Sequence, residues 1–296
     1  MIRAGGSAAN TAVVLAKLGV ATKLIARTGD DVWAEVGLRA LAESGVDVAS
    51  VQRDNQASTG LIFIPVTPDG ERTMFSHRGA NARTDPAAIG PDALDGVRLL
   101  HVSGYAFLES PQREAARRAI ELAEQNGVAI SLDTGLQPAL SLMDDLRRLL
   151  PRLAVCVLGV DEARALVGST SPADTVAALI ECGARTVGLK LGADGCLLAD
   201  AAHVYHLPAF EVLTVDTTGA GDAFGAGLIF GRLRGLSLPA AGTLATALGS
   251  LATTVWGGGS ALPGRAEVID LLRAHLGAKP DERAAWIDEV LSVIRD

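Results

Sequence analysis

Hydrophobic and polar positions follow two different periods along this chain. Short continuous apolar runs, such as Val128–Asp133 and Ala154–Leu158, have the length of buried strands. Between such runs, apolar residues recur at every third or fourth position, as in Asp31–Ser44, and a glycine follows directly, as Gly45 does. The pattern therefore predicts strands that alternate with amphipathic helices.

The alternation is regular from residue 97 onward. The predicted strands are Val97–Ser103, Val128–Asp133, Ala154–Leu158, Arg185–Leu191 and, as a hairpin, Cys196–Asp200 and His203–Leu207. The predicted helices are Pro111–Asn126, Pro138–Leu150, Asp161–Val167, Pro172–Cys182 and Leu238–Thr254. Because the strands are apolar throughout, we expect an α/β fold in which helices cover both faces of a parallel sheet. Such sheets bind ligands at the carboxyl ends of their strands.

The N-terminal part of the chain does not show this regular alternation of strands and helices. Ser7–Leu18 predicts a helix and Thr22–Arg27 a strand, whereas Gly60–Val66 and Arg72–Ser76 are strand-like and flank a turn sequence at 67–70. A lone hairpin is marginally stable, so we expect this one to pack on another surface. The predicted organisation is a single domain over residues 1–296, with a hairpin over 60–77 and an accessory helix over 280–296.

Charge and cysteine content exclude several classes of protein. A net charge of −8 without a Lys/Arg run argues against a nucleic-acid partner. Residues 235–264 carry no charge, but Pro239, three consecutive glycines and many small residues favour a buried helix over a membrane span. Three spaced cysteines without a CxxC pair are expected to be buried thiols, and no signal peptide is apparent. We therefore expect a cytoplasmic protein without a membrane partner.

The clearest candidate for chemistry is Asp216–Gly225 (DTTGAGDAFG), which lies between the strand-like Phe210–Val215 and a long apolar helical stretch. Glycines at 219 and 221 would let backbone N–H groups converge with a helix N-terminus into an anion cradle. Asp222 falls in the first helical turn, where it could take a proton from a hydroxyl while the cradle stabilises a phosphoryl group in transfer. The alternative is a glycine-rich turn whose aspartate only caps the helix.

Two other phosphate-binding motifs do not fit this segment. The spacing is GxGxxxG rather than GxGxxG, and a second helix follows where a dinucleotide fold would place a strand and an acidic residue. The chain has no GxxxxGK[ST] sequence, which excludes a Walker-type loop.

Several segments together resemble one known family. Asp216–Gly227 (DTTGAGDAFGAG) resembles the C-terminal signature of the ribokinase-like (PfkB) carbohydrate kinases, and Gly5–Asn10 (GGSAAN) resembles their first signature. Gly60–Asn81, Lys190–Gly195 and residues 252–265 resemble the family's lid hairpin, a nucleotide-site loop and a C-terminal nucleotide and cation loop. The resemblance implies a three-layer α/β/α fold with a Rossmann-like sheet and a small β lid.

The resemblance implies a role for each matching residue. Asp222 would be the catalytic base, and the N–H groups of Gly219, Ala220 and Gly221 would form the anion hole for the phosphoryl group. The sugar would contact Gly6, Asn10 and Asp222, and the nucleotide would lie beside Lys190, Gly192, Gly195, Gly219 and Gly221. Glu162 would bind Mg²⁺ through water, and Asp216 and Thr218 would help to hold a monovalent cation such as K⁺. Tyr105 and His101, at the end of a predicted strand, are further candidates for sugar contact.

The chain departs from the family in three places. Gly159 stands where the family's Asn-x-x-Glu motif has asparagine, although Glu162 is kept. Asp133–Gln137 (DTGLQ) lacks the arginine of an Asp-x-Asn-x-Arg motif, which argues against 2-keto-3-deoxygluconate as substrate because a bidentate partner for its carboxylate is lost. Only Met1–Ala4 precede the first signature, so we expect the family's first strand to be missing and the sugar pocket to be incomplete.

These observations predict an ATP-dependent kinase, of ribokinase or fructokinase type, that phosphorylates the primary hydroxyl of a sugar. Its partners would be the small-molecule sugar and ATP, and the hairpin over 60–77 could pair two copies into a homodimer. Two alternatives stay open. One is a nucleoside kinase, and the other is a catalytically weak or silent kinase-fold protein that binds sugar or nucleotide.

Overall fold

The computed structural model describes residues 2–65, 73–169, 171–278 and 282–294. Within these ranges the strands are β1 Thr22–Lys23, β2 Ala26–Gly29, β3 Val46–Asp47, β4 Val51–Asp54, β5 Leu61–Phe63, β6 Phe75–His77, β7 Leu99–Ser103, β8 Ala129–Asp133, β9 Val155–Gly159, β10 Val187–Lys190, β11 Cys196–Ala199 and β12 Val204–Leu207. The helices are α1 Ser7–Lys17, α2 Val32–Glu43, α3 Gln112–Gln125, α4 Leu136–Ser141, α5 Met143–Leu149, α6 Val160–Val167, α7 Pro172–Glu181, α8 Ala220–Arg234, α9 Leu238–Ala252, α10 Arg265–Ala278 and α11 Ala284–Ile294.

A six-stranded sheet forms the centre of the molecule, in the order β12-β11-β10-β9-β8-β7. Strands β7 to β10 are parallel, and β11 and β12 extend the sheet as an antiparallel hairpin. The predicted parallel alternation and the predicted hairpin are both confirmed. Since parallel strands point the same way, the carboxyl ends of β7 to β10 meet at one edge of the sheet.

Helices cover both faces of this sheet. On one face, α3, α5, α6 and α7 enclose a core that includes Ile130, Leu132 and Leu158. On the other face, α1, α8, α9, α10 and α11 pack around a second core that includes Phe230 and Leu244. The predicted three-layer α/β/α arrangement is therefore confirmed.

Helices α8 and α9 approach each other closely because small residues line their contact. A Cβ atom on Gly227 would lie 2.5 Å from the Cα of Ala245, and one on Gly231 would lie 2.5 Å from the Cβ of Ala241. Helix α9 is buried along most of its length, as predicted for the uncharged stretch. Of the helices in the described ranges, none has the length and apolar character needed to cross a membrane.

Small strand pairs lie in the N-terminal part of the chain. The pairs β1–β3 and β2–β4 are parallel, and β5–β6 is the predicted antiparallel hairpin, whose turn at 67–70 lies outside the described residues. Asp31 connects this region to α2, because its carboxylate accepts hydrogen bonds from Ala34 N at 3.0 Å and from Thr59 N at 2.8 Å. The apolar side chains of the hairpin, Leu61, Ile62, Phe63 and Phe75, stay exposed rather than packed.

Four local predictions are wrong. Thr22–Arg27 is divided between β1 and β2, which pair with separate short strands that the sequence pattern did not reveal. Pro138–Leu150 is interrupted at Leu142, whose φ of −132° is not helical. Phe210–Val215 joins no sheet among the described residues, and Val215 N donates instead to Thr253 O at 2.7 Å. Cys182 is exposed because it ends α7 on the outside of the helix layer, whereas the other two cysteines are buried.

Candidate active site

Four parallel strands end at one edge of the sheet, and one helix begins there. Strands β7, β8, β9 and β10 end there at Ser103, Asp133, Gly159 and Lys190. The N-terminus of α8, at Ala220, faces the same edge, because Lys190 Nζ lies 3.1 Å from the position that a Cβ on Gly221 would take. The sheet edge and the glycine-rich motif therefore form one site.

The turn before α8 leaves backbone N–H groups available. Gly219 precedes the helix with a φ of 80°, a conformation that favours glycine, and a Cβ at this position would lie 2.9 Å from Leu262. In the part of the chain that the structure describes, the N–H groups of Gly219 and Gly221 have no acceptor, whereas Ala220 N bonds Thr217 O at 3.3 Å. An anion at this helix end would thus meet two free donors and the positive end of the helix dipole.

Asp222 lies in the first turn of α8, and side chains of α1 hold it there. Asn10 Nδ2 donates to Asp222 Oδ2 at 2.7 Å, and Thr11 Oγ1 donates to the Asp222 backbone oxygen at 3.3 Å. The Asn10 amide is itself fixed, because its Oδ1 accepts from Gly259 N at 2.9 Å. One asparagine therefore joins α1, α8 and the loop before α10.

Burial raises the pKa of Asp222 to about 6, and the nearby Asp133 carboxylate adds to the rise. Hydrogen bonds from Asn10 and Ser7 and the charge of Lys190 oppose it. Above pH 6 the side chain is thus ionised, yet it is more basic than an ordinary aspartate. This combination is the one that a general base near neutral pH needs.

Lys190 and Asp133 form a partly buried ion pair across the sheet edge. Lys190 Nζ lies 3.1 Å from Asp133 Oδ1 and 3.2 Å from Oδ2. Burial alone would lower the pKa of Lys190, but the carboxylates of Asp133, Glu162 and Asp222 raise it. The ammonium group therefore stays charged within the site.

A cavity of about 320 Å³ opens beside Lys190 at the ends of β9 and β10. Its lining residues are Leu136, Gly159, Val160, Asp161, Glu162, Lys190, Leu191 and Gly192. Glu162 is held in place because its Oε2 accepts from Gly159 N at 2.7 Å and from Thr134 Oγ1 at 2.8 Å. Gly195 does not line the cavity; a Cβ there would lie 2.0 Å from Leu207 O, so this glycine serves the turn between β10 and β11.

Asp216 connects the turn before α8 to the loop after α9. Its Oδ1 accepts from Thr218 N at 2.9 Å and from Thr218 Oγ1 at 2.8 Å, and its Oδ2 accepts from Gly257 N at 2.8 Å. Across the described ranges, no three side chains of His, Cys, Asp or Glu gather in a way that could hold a metal by themselves. Any cation at this place would therefore need backbone carbonyls or a ligand as well.

The remaining predicted sugar contacts lie at different depths. Gly6 begins α1 with a φ of 106° and is exposed, and its carbonyl accepts from Asn10 N at 2.8 Å. Burial raises the pKa of the Tyr105 phenol, and Glu162, Asp133 and Asp222 add to the rise, so this side chain faces the site. Tyr105 is 42% exposed, and its ring lies beside Gly135, directly before α4.

His101 lies deeper in the sheet than the other candidates. Its Nδ1 is 2.9 Å from Ser131 Oγ, beside it on β8. Burial, with a smaller effect of Lys190, lowers the pKa of His101 to about 4. This imidazole is neutral at physiological pH and lies below the edge where ligands would bind.

Sequence reasoning missed two members of the site. Asp133 was noted only as part of a departing motif, although an aspartate that directly follows an apolar strand is a signal for the ligand-binding edge. Gly259 N, which orients Asn10, gives no such signal, because its role depends on a contact between residues far apart in the sequence.

Comparison with known proteins agrees with this architecture. A family model described as pfkB family carbohydrate kinase matches residues 2–265. The aminoimidazole riboside kinase of Salmonella typhimurium is 31% identical over 283 residues, which are 92% of this chain and 88% of that protein.

Solved structures give the same result. The ribokinase of Thermotoga maritima has a TM-score of 0.78 at 25% identity and covers 91% of this chain and 87% of its own. The fructokinase of Vibrio cholerae, with fructose, ADP and calcium ion bound, has a TM-score of 0.78 at 26% identity, with 90% of each chain covered. Since the family model spans most of the chain and the fold agrees with it, this chain belongs to the pfkB family of carbohydrate kinases, as its two signature motifs predicted.

Proposed function

We propose that this chain transfers the γ-phosphoryl group of ATP to the primary hydroxyl of a sugar. Asp222 is the observation that carries the proposal, because a partly buried carboxylate with a raised pKa lies in the first turn of α8, beside free N–H donors. Asp222 takes the hydroxyl proton while the sugar oxygen bonds to the γ-phosphorus and the bond from that phosphorus to ADP breaks. The products are a sugar phosphate and ADP, and Asp222 later releases the proton to water.

The proposed sugar site lies between α1 and the start of α8. Asn10 has both amide atoms fixed, by Asp222 and by Gly259 N, so it presents a defined edge to sugar hydroxyls. Gly6, directly before α1, and Tyr105, after β7, are the other proposed sugar contacts. The positive φ of Gly6 and the absence of its side chain would let a ligand approach the backbone closely.

The proposed nucleotide site is the cavity lined by Glu162, Lys190 and Gly192. It adjoins Gly221, so a nucleotide bound there would direct its terminal phosphate toward the N–H groups of Gly219 and Gly221. Gly195 supports this site indirectly, by allowing the tight turn that holds the loop over 191–195. Ala220, whose N–H group already has an acceptor, would contribute only after a small rearrangement.

The residues present fit a magnesium ion that arrives with ATP. Glu162 lines the cavity, and hard cations prefer carboxylate oxygens and water. Mg²⁺ would neutralise the phosphate oxygens during transfer, and Glu162 would orient one of its waters. For K⁺, Asp216 and Thr218 would supply oxygens beside the Gly257 loop, where the Asp216 carboxylate is already oriented by three hydrogen bonds.

The proposed substrate is a neutral ketose or pentose. The similar Vibrio cholerae protein binds fructose, which favours a hexose of that kind. A nucleoside substrate is the second candidate, because the similar Salmonella typhimurium protein is an aminoimidazole riboside kinase. Aromatic residues make up only 4% of the chain, which favours a sugar over a base-bearing ligand.

ADP release, measured with a coupled assay over fructose, ribose, adenosine and aminoimidazole riboside, tests the proposal. We expect turnover with one of the sugars and none with the Asp222→Asn variant, while an exposed control, Asp95→Asn, stays active. If every compound gives the same rate as Asp222→Asn, the proposal of a sugar or nucleoside kinase is wrong. Binding of ATP or fructose in that case would favour the catalytically silent alternative.

Three organisational features belong to the same proposal. The chain would act as a single domain, since the central sheet and the helices on both sides of it share the site. It would form a homodimer through the β5–β6 hairpin, whose apolar side chains are exposed. Its place would be the cytoplasm, which is consistent with three free cysteines.

A further inference from the structure

The side chain of Lys190 crosses a neighbouring strand to reach Asp133. In the register of the sheet, Lys190 is level with Gly159 on β9, and Asp133 is level with Val157, two residues earlier on the same strand. These positions therefore share one face of the sheet. Because Gly159 has no side chain on that face, the path from β10 to β8 is open to the long lysine side chain.

The same face is covered by α8. Gly188 precedes Lys190 by two residues, and a Cβ on Gly188 would lie 2.5 Å from Leu228 of α8. At the other end of that helix, a Cβ on Gly221 would lie 3.1 Å from Lys190 Nζ. The ammonium group thus lies between the Asp133 carboxylate and the N–H groups of the anion cradle.

The Lys190 ammonium group can donate a hydrogen bond to one further acceptor. Asp133, Glu162 and Asp222 surround it and keep it protonated. An ammonium group has three N–H donors, and both hydrogen bonds of Lys190 in the described residues go to Asp133. Since three carboxylates oppose one lysine here, an entering phosphoryl group would be repelled unless the lysine compensated its charge.

Resting on the proposed function, we propose that Lys190 is a catalytic residue that donates a hydrogen bond to the phosphoryl group in transfer, and that Asp133 is the positioning residue that aims it. The phosphoryl oxygens accept from Gly219 and Gly221 N–H on one side and from Lys190 Nζ on the other. A fixed positive charge aimed at developing negative charge stabilises the transition state more than the ground state. Asp133 prevents the ammonium from turning toward Asp222, which would neutralise the base.

Substitution of Lys190 by methionine tests the contact with the phosphoryl group, since it keeps most of the unbranched side chain but removes the charged ammonium group. On the sugar that the wild-type chain phosphorylates, we expect kcat to fall about 100-fold while the KM for the sugar changes less than about threefold. Lys23→Met, an exposed lysine on a short strand, is the matched control and should keep the wild-type rate. A kcat of Lys190→Met within about threefold of wild type contradicts the proposal.

The pH profile tests whether the charges of Lys190 and Asp133 act on Asp222. The charged and polar groups that face Asp222 are Asp133 from β8, Lys190 from β10, Ser7 and Asn10 from α1, and Tyr105 after β7. Removing the positive charge in Lys190→Met should move the acid limb of kcat/KM to higher pH, and Asp133→Asn should move it to lower pH. Acid limbs that do not move, or that move in the same direction, contradict the proposal.

A binding measurement decides the proposal when turnover is absent or when one variant does not fold. By calorimetry, the ratio of the affinities for AMP-PNP and ADP should fall about tenfold in Lys190→Met, since only AMP-PNP carries a third phosphoryl group. Lys190→Gln, a second neutral variant, should lower the same ratio, and an unchanged ratio in a folded variant overturns the proposal. If the wild-type chain shows a high ratio but phosphorylates no sugar or nucleoside, the proposed function fails and the role of Lys190 in phosphoryl binding stands.

Discussion

Asp222 is a partly buried carboxylate whose protonation depends on a few neighbours. Burial and Asp133 favour its protonated form, whereas Asn10, Ser7 and Lys190 favour the ionised form. Because its pKa is raised, the ionised Asp222 side chain is less stable in the folded protein than in the unfolded chain at neutral pH. A side chain that costs stability in this way is expected where chemistry requires it.

Asp222→Asn should therefore abolish turnover and stabilise the fold. The pKa of Asp222 rises from 3.8 to about 6 on folding, so its contribution to stability is full below pH 3.8 and is lost as the pH rises through 6. At pH 8 the neutral amide, which can still accept from Asn10, should raise Tm, while kcat falls by about 1,000-fold or more. Thermal melting and the ADP assay measure the two effects; a variant that melts at lower temperature than wild type at pH 8 contradicts the assignment of a strained carboxylate.

The pH dependence of the wild-type rate follows from the same side chain. Below about pH 6 Asp222 is protonated and cannot accept the hydroxyl proton, so kcat/KM should fall about tenfold for each further pH unit. Initial rates measured between about pH 5 and pH 9 would show this fall in kcat/KM on the acid side. A rate that stays level down to pH 5 would show that Asp222 does not act as the base.

Two glycines of α8 differ in how closely neighbouring residues pack against them. The small residues of α8 and α9 allow a contact in which Gly227 faces the Ala245 backbone, whereas Gly225, two residues earlier, faces Val157 at 4.0 Å from a Cβ position. The same helix thus contains one glycine that packing requires and another that it does not.

Two substitutions in α8 test this difference. Gly227→Ala should lower the free energy of unfolding by about 1–3 kcal/mol, because the new Cβ would lie 2.5 Å from Ala245 Cα, which is backbone. Gly225→Ala should raise it by about 0.5–1 kcal/mol, because alanine favours the helix and there is space for it. Urea denaturation of both variants provides the comparison, and equal effects would contradict the close contact of α8 with α9.

The elements of this fold differ in how well sequence alone predicts them. The parallel strands and the start of α8 beside Gly219 follow from patterns within a few residues, so their positions were predicted correctly. The two-residue strands β1 and β3 and the apolar run Phe210–Val215 depend on whether a partner strand lies beside them, which no local pattern records. The Lys190–Asp133 pair likewise depends on sheet register, so its two residues could be noted separately but not joined.

At the scale of the whole molecule, the β5–β6 hairpin exposes several apolar side chains close together. Phe63 is 70% exposed and Phe75 is 60% exposed, and their ring centroids lie 6.5 Å apart, so they form one apolar surface. Such a surface on a short, otherwise unpaired sheet favours association with a second copy of the chain.

If the hairpin pairs two copies, as proposed, Phe63→Ser should convert the dimer into a monomer. The measurement is mass by light scattering on a sizing column, and the matched control is Val204→Ser, which alters a 60% exposed residue on the edge strand β12. We expect the Val204 variant to keep the wild-type mass. A wild-type chain that is already monomeric would show that the hairpin does not pair copies.

The hydrogen bond between Asn10 and Asp222 joins residues 212 positions apart. During synthesis, the ribosome must therefore deliver most of the chain before the base meets its amide partner, whereas the strands from Leu99 to Leu207 can pair earlier. The sheet can then serve as a template on which α8 docks, and the site closes in the late steps of folding. A nascent chain that ends before α8 would have the sheet and the helices on one of its faces, but it would lack the catalytic base and all helices of the other face except α1.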